Sequence, residues 1–191
     1  MENQFKLYMV LLGCTPAGRN TEQHDIFFGI ANSLKQLIPQ MKKFWPEAKG
    51  RIHIDAWREV SLVDNFSIEI ITKTEEEEVA TADKLFFINL GGYKENEFEE
   101  YHYKTLAVAK KMSLASKKSK ASTFYKHCGF KGAESHIDDK YGIDVDDIYK
   151  VEDLLSDDFK KQYSLKITKT ETVSNEDILH IGYLKLSKIN L

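Results

Sequence analysis

The chain has 191 residues, of which 42% are hydrophobic and 30% charged, with a formal net charge of −3. These proportions are typical of a globular protein and exclude a disordered or fibrous chain, while so small a net charge says little about partners. Two cysteines, Cys14 and Cys128, exclude a disulfide framework, so we expect free thiols and a reducing compartment.

The first predicted element is a short buried strand over residues 7–12, which Gly13 closes. Together with Cys14 this run resembles a lipoprotein signal, but it is too short for a secretory signal. Residues 85–91 repeat the pattern in mid-chain, where a signal peptide cannot lie. We therefore interpret the N-terminal run as a strand. No run reaches transmembrane length, so we expect no membrane partner.

The rest of the first half contains strand and helix patterns. A loop of turn-forming residues leads to a second strand, then to a helix with apolar residues every three or four positions, and then to two alternating strands. Asn32 or Ser33 is the predicted N-cap of the helix, and Pro46 is its stop. The predicted ranges are 15–20 for the loop, 25–31 for the second strand, 34–45 for the helix, and 51–60 and 66–72 for the last strands.

An acidic segment divides the chain. Residues 75–83 begin with four glutamates and continue mainly with small residues, a composition typical of a linker. We therefore predict a first repeat over residues 1–74 and a second repeat over residues 84–191, the latter elaborated at its C-terminal end. Its predicted elements are strands at 85–91 and 101–109, a helix at 113–127, an apolar segment at 148–151, a short helix at 156–161, and strands at 164–170 and 179–186.

This order of elements predicts the fold class. Each half is ββαββ-like, with one main helix. The connections are too short for all of them to be crossovers between parallel strands, so the sheets are predicted to be mainly antiparallel. The predicted class is α+β, built from two ββαββ-like pseudo-repeats.

The two halves share a signature of small and polar residues. Leu-Gly, Glu-x-His and His-Ile-Asp occur in this order in each half, at an offset that grows from 78 to 83 residues along the chain. Insertions in loops would produce this drift, so the pattern predicts an internal duplication. Its residues are Leu12, Gly13, Glu22, His24, His53, Ile54 and Asp55 in the first half and Leu90, Gly91, Glu100, His102, His136, Ile137 and Asp138 in the second.

The polar residues of this signature form the candidate site. Side chains two apart on a strand share a face, so the Glu-x-His and His-x-Asp groups of one half converge if their strands are neighbours. Two imidazoles with two carboxylates can coordinate a divalent metal such as zinc, iron or manganese. The candidate metal ligands are Glu22, His24, His53, Asp55, Glu100, His102, His136 and Asp138.

The same groups have two other interpretations. They can form a closed hydrogen-bond network that stabilises the fold without any metal, and we take this as the simpler interpretation because no helical H-E-x-x-H spacing forces the ligands together. They can also form part of a site for a small molecule or a partner. All three interpretations stay open at the level of the sequence.

Two further patterns carry less weight. Cys14 and His24 would suit a nucleophile and its base, but a buried thiol at a strand end is far commoner. Residues 101–133 carry eight lysines and no acid. Acidic residues follow this segment and it contains no arginine, so nucleic acid is not an expected partner.

The signature resembles that of a bacterial family known as domain of unknown function 1543. The resemblance spans nearly the whole chain, and residues 11–14, 21–25, 53–57, 89–93 and 135–142 carry it. It implies a bacterial, cytoplasmic protein with one or two copies of the domain. It implies no particular activity or cofactor.

We therefore expect a binding or interaction protein, with a metal-dependent enzyme as the alternative and a small-ligand carrier between them. The enzyme requires the polar groups of one half to meet at a point that solvent can reach. The interaction protein requires an apolar or aromatic surface patch, with Trp57 and Tyr93 as candidates. Such a patch leaves a homo-oligomer open.

Overall fold

The computed structural model describes residues 4–73, 82–137, 147–171 and 177–190, which form two compact units. The first unit combines residues 4–73 with residues 154–171 and 177–190, and the second comprises residues 82–137 and 147–153. This division differs from the predicted repeats, because the C-terminal segment belongs to the first unit. The boundary near residue 78 falls within the predicted acidic linker, most of which lies outside the described residues.

The first unit contains two antiparallel sheets and a short helix layer. The strands are β1 (Lys6–Cys14), β2 (Gln23–Ala31), β3 (His53–Glu59), β4 (Leu62–Val63), β5 (Phe66–Thr72), β10 (Tyr163–Lys169) and β11 (His180–Lys185). In one sheet the strand order is β11-β3-β1-β2, and in the other it is β10-β5-β4. The helices are α1 (Ile38–Phe44) and α5 (Asp157–Gln162), with 3-10 turns at Leu34–Leu37, Pro46–Ala48 and Leu186–Lys188.

The second unit repeats part of this arrangement. A central strand pairs antiparallel with a long strand on one side and with two short strands on the other. The strands are β6 (Lys84–Tyr93), β7 (Glu100–Ala109), β8 (His136–Ile137) and β9 (Ile148–Lys150), and the helices are α2 (Met112–Ser119), α3 (Thr123–His127) and α4 (Val151–Leu154). The predicted α+β class with mainly antiparallel sheets is confirmed.

The helices differ from their predicted ranges for local reasons. Pro39 has no amide hydrogen and occupies the first turn of α1, so the predicted helix is a 3-10 turn followed by a short α-helix. Ser33 stands at the N-cap of that turn without a capping hydrogen bond. In the second unit, the predicted single helix is broken before Thr123. There the Ser122 hydroxyl accepts from the Tyr125 amide and starts a new helix.

Each unit has its own apolar core. In the first, one face of β1 packs against Leu34, Leu37 and Met41 of the helical layer, all fully buried. In the second, β6 contributes Phe86, Ile88 and Leu90 to a cluster that includes Ala115 of α2. Strand alternation therefore leaves the opposite face of β1 available for polar chemistry.

The C-terminal segment completes the first unit at four places. β10 pairs with β5 along seven consecutive residues, and β11 pairs with β3. Leu186 and Ile189 are buried in the core of the first unit. Asp177 accepts hydrogen bonds from the Ser61 amide and hydroxyl, at 3.0 and 2.6 Å, and from the Leu62 amide at 3.3 Å. None of the described helices is long and apolar enough to span a membrane.

Tyr8 makes the first unit sensitive to alkali. Its side chain is buried, and its hydroxyl donates a hydrogen bond to the Glu59 carboxylate at 3.3 Å. Burial, followed by the negative charge of Glu59 and the hydrogen bond, raises the pKa of Tyr8 above its ordinary value. The folded state therefore retains this proton while an unfolded tyrosine loses it near pH ~10. The contribution of Tyr8 to the stability of the fold is therefore complete below this pH, and it is lost as the pH rises towards the raised pKa of the folded state.

We expect Tyr8→Phe to lose less stability than the wild-type protein between about pH 8 and about pH 11, because phenylalanine has no proton to release. At about pH 8 the variant should be less stable by about 1 kcal/mol, since one hydrogen bond is removed. Urea unfolding at both pH values measures the two effects. Tyr183→Phe, which changes an exposed tyrosine of the same unit, is the control and should follow the wild type. Equal losses in all three proteins would contradict the prediction.

Candidate functional site

The register of the first sheet brings the predicted site residues together. Gly13 of β1 lies opposite His24 on β2 and opposite His53 on β3. Residues that face each other across paired strands point to the same side, so the two imidazoles flank the glycine on one face of the sheet. Glu22 and Asp55 join them there. We call Glu22, His24, His53 and Asp55 the site cluster.

Each imidazole of the site cluster contacts both carboxylates. His53 Nε2 lies 3.1 Å from Glu22 Oε1 and 3.3 Å from Asp55 Oδ2. His24 Nε2 lies 3.3 Å from Asp55 Oδ2 and 3.6 Å from Glu22 Oε2. The predicted convergence of the four groups is therefore observed in the first unit. Their role as metal ligands stays a prediction.

A β-bulge positions Asp55. Leu11 of β1 pairs with Ala56, and Leu12 pairs with Ile54, so Asp55 is an extra residue without a partner opposite it. Bulges redirect a side chain and are frequent beside functional sites. The neighbouring strand is irregular at the same level, because its register with β3 shifts between Ile181 and Leu184.

Gly13 provides the space for the site cluster. A Cβ atom at this position would lie 2.4 Å from Asp55 Oδ2 and 2.5 Å from His53 Nε2. Both distances are shorter than any contact that real Cβ atoms make. The Leu-Gly element of the sequence signature is therefore part of the site, because only a residue without a side chain lets His53 and Asp55 approach across β1.

The four side chains of the site cluster differ in their exposure to solvent. The side chain of His53 is 10% exposed and that of Asp55 is 24% exposed, whereas those of His24 and Glu22 are 40% and 43% exposed. His53 Nε2 and Asp55 Oδ2 are buried and have no hydrogen-bond partner, since their short contacts lack hydrogen-bond geometry. Among the described residues as they are placed, no set of three or more His, Cys, Asp or Glu side chains is arranged to hold a metal ion.

The C-terminal strand β11 brings aromatic residues next to the site cluster, although no pattern in the sequence indicates this. The Tyr183 ring of β11 lies 4.4 Å, between centroids, from the ring of His53. His180 stacks on Trp57 at 3.8 Å. The packing of Tyr183 helps to hold the His53 ring in place. No local signal could have revealed this contact, because the strand lies about 130 residues further along the chain.

The second unit brings together part of the equivalent set. Gly91 lies opposite His102 on β7 and opposite His136 on β8, which is the register of Gly13 in the first unit. His136 Nε2 lies 3.3 Å from Glu100 Oε1. The predicted ligand Asp138 lies outside the described residues.

Two other features of the first unit do not belong to the site cluster. Cys14 is a free thiol buried at the end of β1, as the strand-end interpretation predicted. A cavity of about 640 Å³ lies elsewhere in the unit, and no member of the site cluster lines it. Its lining includes Phe27, Phe44, Lys43, Leu155 and Phe159.

Comparisons with known proteins agree with this picture at the level of the fold. The sequence model of the family described as Domain of Unknown Function (DUF1543) matches residues 19–70, a segment that contains the whole site cluster. The crystal structure of a protein Il1583 from Idiomarina loihiensis is similar, with a TM-score of 0.56 and 22% sequence identity. The similarity covers 96% of this chain and 99% of that one. No curated protein matches the chain.

Proposed function

We propose that this chain is a binding protein whose first unit takes up a divalent transition-metal ion at the site cluster. The observation that carries the proposal is the pair of buried atoms, His53 Nε2 and Asp55 Oδ2, which face each other without hydrogen bonds. Leaving buried polar atoms without hydrogen bonds is costly, and an ion bound between them would satisfy both.

The spacing of the donor atoms supports the proposal. A tetrahedral zinc ion lies about 2.1 Å from its nitrogen and oxygen ligands, which places neighbouring ligands about 3.4 Å apart. The four nitrogen-to-oxygen distances of the site cluster run from 3.1 to 3.6 Å. Two imidazoles and two carboxylates also suit zinc, iron and manganese better than calcium or magnesium, which prefer oxygen ligands alone.

Coordination would require small side-chain rotations. Glu22 and His24 are about two-fifths exposed, so their rotamers can change at little cost in packing. The His53 ring is held by Tyr183 and Asp55 by its bulge. His53 and Asp55, whose donor atoms are buried, therefore form the rigid part of the proposed site, and Glu22 and His24 would close around the ion.

Uptake without catalysis is the simpler form of the proposal. A catalytic metal needs an open coordination position beside a cavity that holds the substrate. The large cavity of the first unit is lined by residues outside the site cluster. The four protein ligands would occupy all four coordination positions of a tetrahedral ion. This is the arrangement of a structural metal, since a catalytic metal keeps one position open.

The proposal extends to the origin of the site. We propose that the chain belongs to the DUF1543 family beyond the matched residues 19–70 and that it contains two tandem copies of the domain. The shared register of Gly13 and Gly91 with their histidines supports this duplication. A cytoplasmic location is part of the same proposal, since Cys14 and Cys128 are free thiols.

Calorimetric titration with Zn²⁺ tests the metal site. We expect the wild-type protein to bind the ion, and the His24→Ala/His53→Ala variant to bind it at least about 100-fold more weakly. Changes in the outer shell of a metal site already cost roughly 10–100-fold, and this variant removes two ligands. His127→Ala, which removes an imidazole at the end of α3, is the control and should titrate like the wild type.

Elemental analysis of protein purified without chelator or metal-affinity resin provides the second measurement. The wild type should carry zinc, iron or manganese that the double variant lacks. Equal metal content in the wild type and the double variant, together with equal titration curves, would overturn the proposal. The closed network of hydrogen bonds and ion pairs would then be the role of the site cluster. Circular dichroism of the variants distinguishes loss of ligands from loss of fold.

A further inference from the structure

The C-terminal strand β11 is an edge strand with an apolar surface. It pairs with β3 on one side and is the last strand of its sheet in the described part of the chain. Four apolar side chains in this strand and in the two residues before it are 61% to 81% exposed, and they are Ile178, Leu179, Ile181 and Tyr183. We call these four residues the edge patch. Natural sheets usually protect such an edge with charged residues or proline, because an unpaired strand is a template for another strand.

Apart from Lys185 at its end, β11 lacks these protective residues. Residues 178–184 contain no acidic residue, lysine, arginine or proline. Gly182 lies within the strand, and a Cβ atom placed there would meet nothing within 4 Å. Its φ of +135° and the register shift with β3 at this point make it part of a bulge, and the open space beside it leaves room for another backbone. From residue 178 to residue 184 the edge is therefore apolar, uncharged and open to a neighbouring chain, and Lys185 follows at its end.

We propose that β11 pairs antiparallel with β11 of a second copy of this chain, around a two-fold axis. A strand that lies antiparallel to its own copy is self-complementary, as a two-fold interface requires. The edge patch offers on the order of 500 Å² on each copy, or about 1,000 Å² for the pair, which reaches the lower range of specific interfaces. The interface joins uncharged segments, so it buries no like charges.

The interface would lie beside the site cluster. Tyr183 belongs to the edge patch and also contacts the His53 ring. Pairing of two copies would thus immobilise a side chain that holds a proposed ligand in place. The dimer itself does not depend on metal, because its evidence is the edge patch alone, so failure of the metal site would leave this inference standing.

Sedimentation analysis over a range of protein concentrations tests the inference. The monomer mass is 22.0 kDa, and we expect the wild type to form a species of twice that mass. Ile181→Lys places a charge on the edge, where it would face the partner strand, and should raise the dimer dissociation constant at least about 100-fold. Phe98→Lys, which changes an exposed phenylalanine of the second unit, is the control and should remain dimeric.

Hydrogen exchange on the wild-type protein provides evidence that does not depend on a variant. Amides of residues 180–185 should exchange more slowly at high protein concentration than at low concentration, whereas those of β7 should not change. A wild type that stays monomeric, or an Ile181→Lys variant that dimerises as well as the control, would overturn the inference. If Ile181→Lys fails to fold, the wild type alone still tests the inference. Amide exchange in residues 180–185 of the wild type that does not vary with protein concentration would overturn it.

Discussion

Substitution of Gly13 by alanine should weaken metal binding strongly while leaving the first unit folded. The added Cβ atom would lie 2.4 Å from Asp55 Oδ2 and 2.5 Å from His53 Nε2, so both side chains cannot keep their positions. The atoms that clash are the ends of side chains, and they can rotate away without opening the sheet. We expect Zn²⁺ affinity to fall about 100-fold and the free energy of unfolding to fall by about 1–3 kcal/mol.

A double-mutant cycle separates this local effect from a general loss of stability. Asp55→Ala removes the atom nearest the new methyl group, so Gly13→Ala should destabilise the Asp55→Ala protein less than it destabilises the wild type. Residues in direct contact typically show coupling of about 0.5–3 kcal/mol in such cycles. Urea unfolding of the four proteins gives the coupling energy. Additive effects, or wild-type metal affinity in Gly13→Ala, would show that the glycine does not provide space for the site cluster.

Part of the convergence of the site cluster could be predicted from a regular property of strands. Side chains two residues apart share a face, so the groups were expected to converge if the strands of His24 and His53 were neighbours. The pairing of both strands with β1 meets that condition. The function of Gly13 was harder to recognise. The Leu-Gly pair marked the end of a strand in both halves, but only the register shows that the glycine lies between two histidines.

The remaining parts of the site depend on contacts between distant residues. A bulge at Asp55 depends on how β3 meets β1, and alternation of apolar residues does not reveal an extra residue in a strand. The contribution of Tyr183 depends on the pairing of β11 with β3. Strand patterns predict that a segment forms a strand without identifying its partner, so the sequence placed this segment in the second repeat and named no partner for it.

The same pairing predicts that the first repeat, as the sequence divides it, cannot fold alone. A fragment of residues 1–74 lacks β10, which pairs with β5, and β11, which pairs with β3. It also lacks Leu186 and Ile189, whose burial contributes about 3–6 kcal/mol, a large share of the roughly 5–15 kcal/mol of a typical domain. We expect this fragment to unfold without a cooperative thermal transition.

Complementation distinguishes a missing segment from a fragment that is merely too short. Residues 154–191, added as a separate peptide to a fragment of residues 1–78, should restore cooperative unfolding, because together they supply every strand of the first unit. The same peptide carrying Leu186→Ala and Ile189→Ala should restore it poorly, since it supplies the strands without two buried core side chains. A fragment of residues 79–153 is the control and should unfold cooperatively by itself, as it holds a complete core. Cooperative unfolding of residues 1–74 alone would instead favour two independent repeats, with the C-terminal strands as an addition that the first unit does not need for its stability.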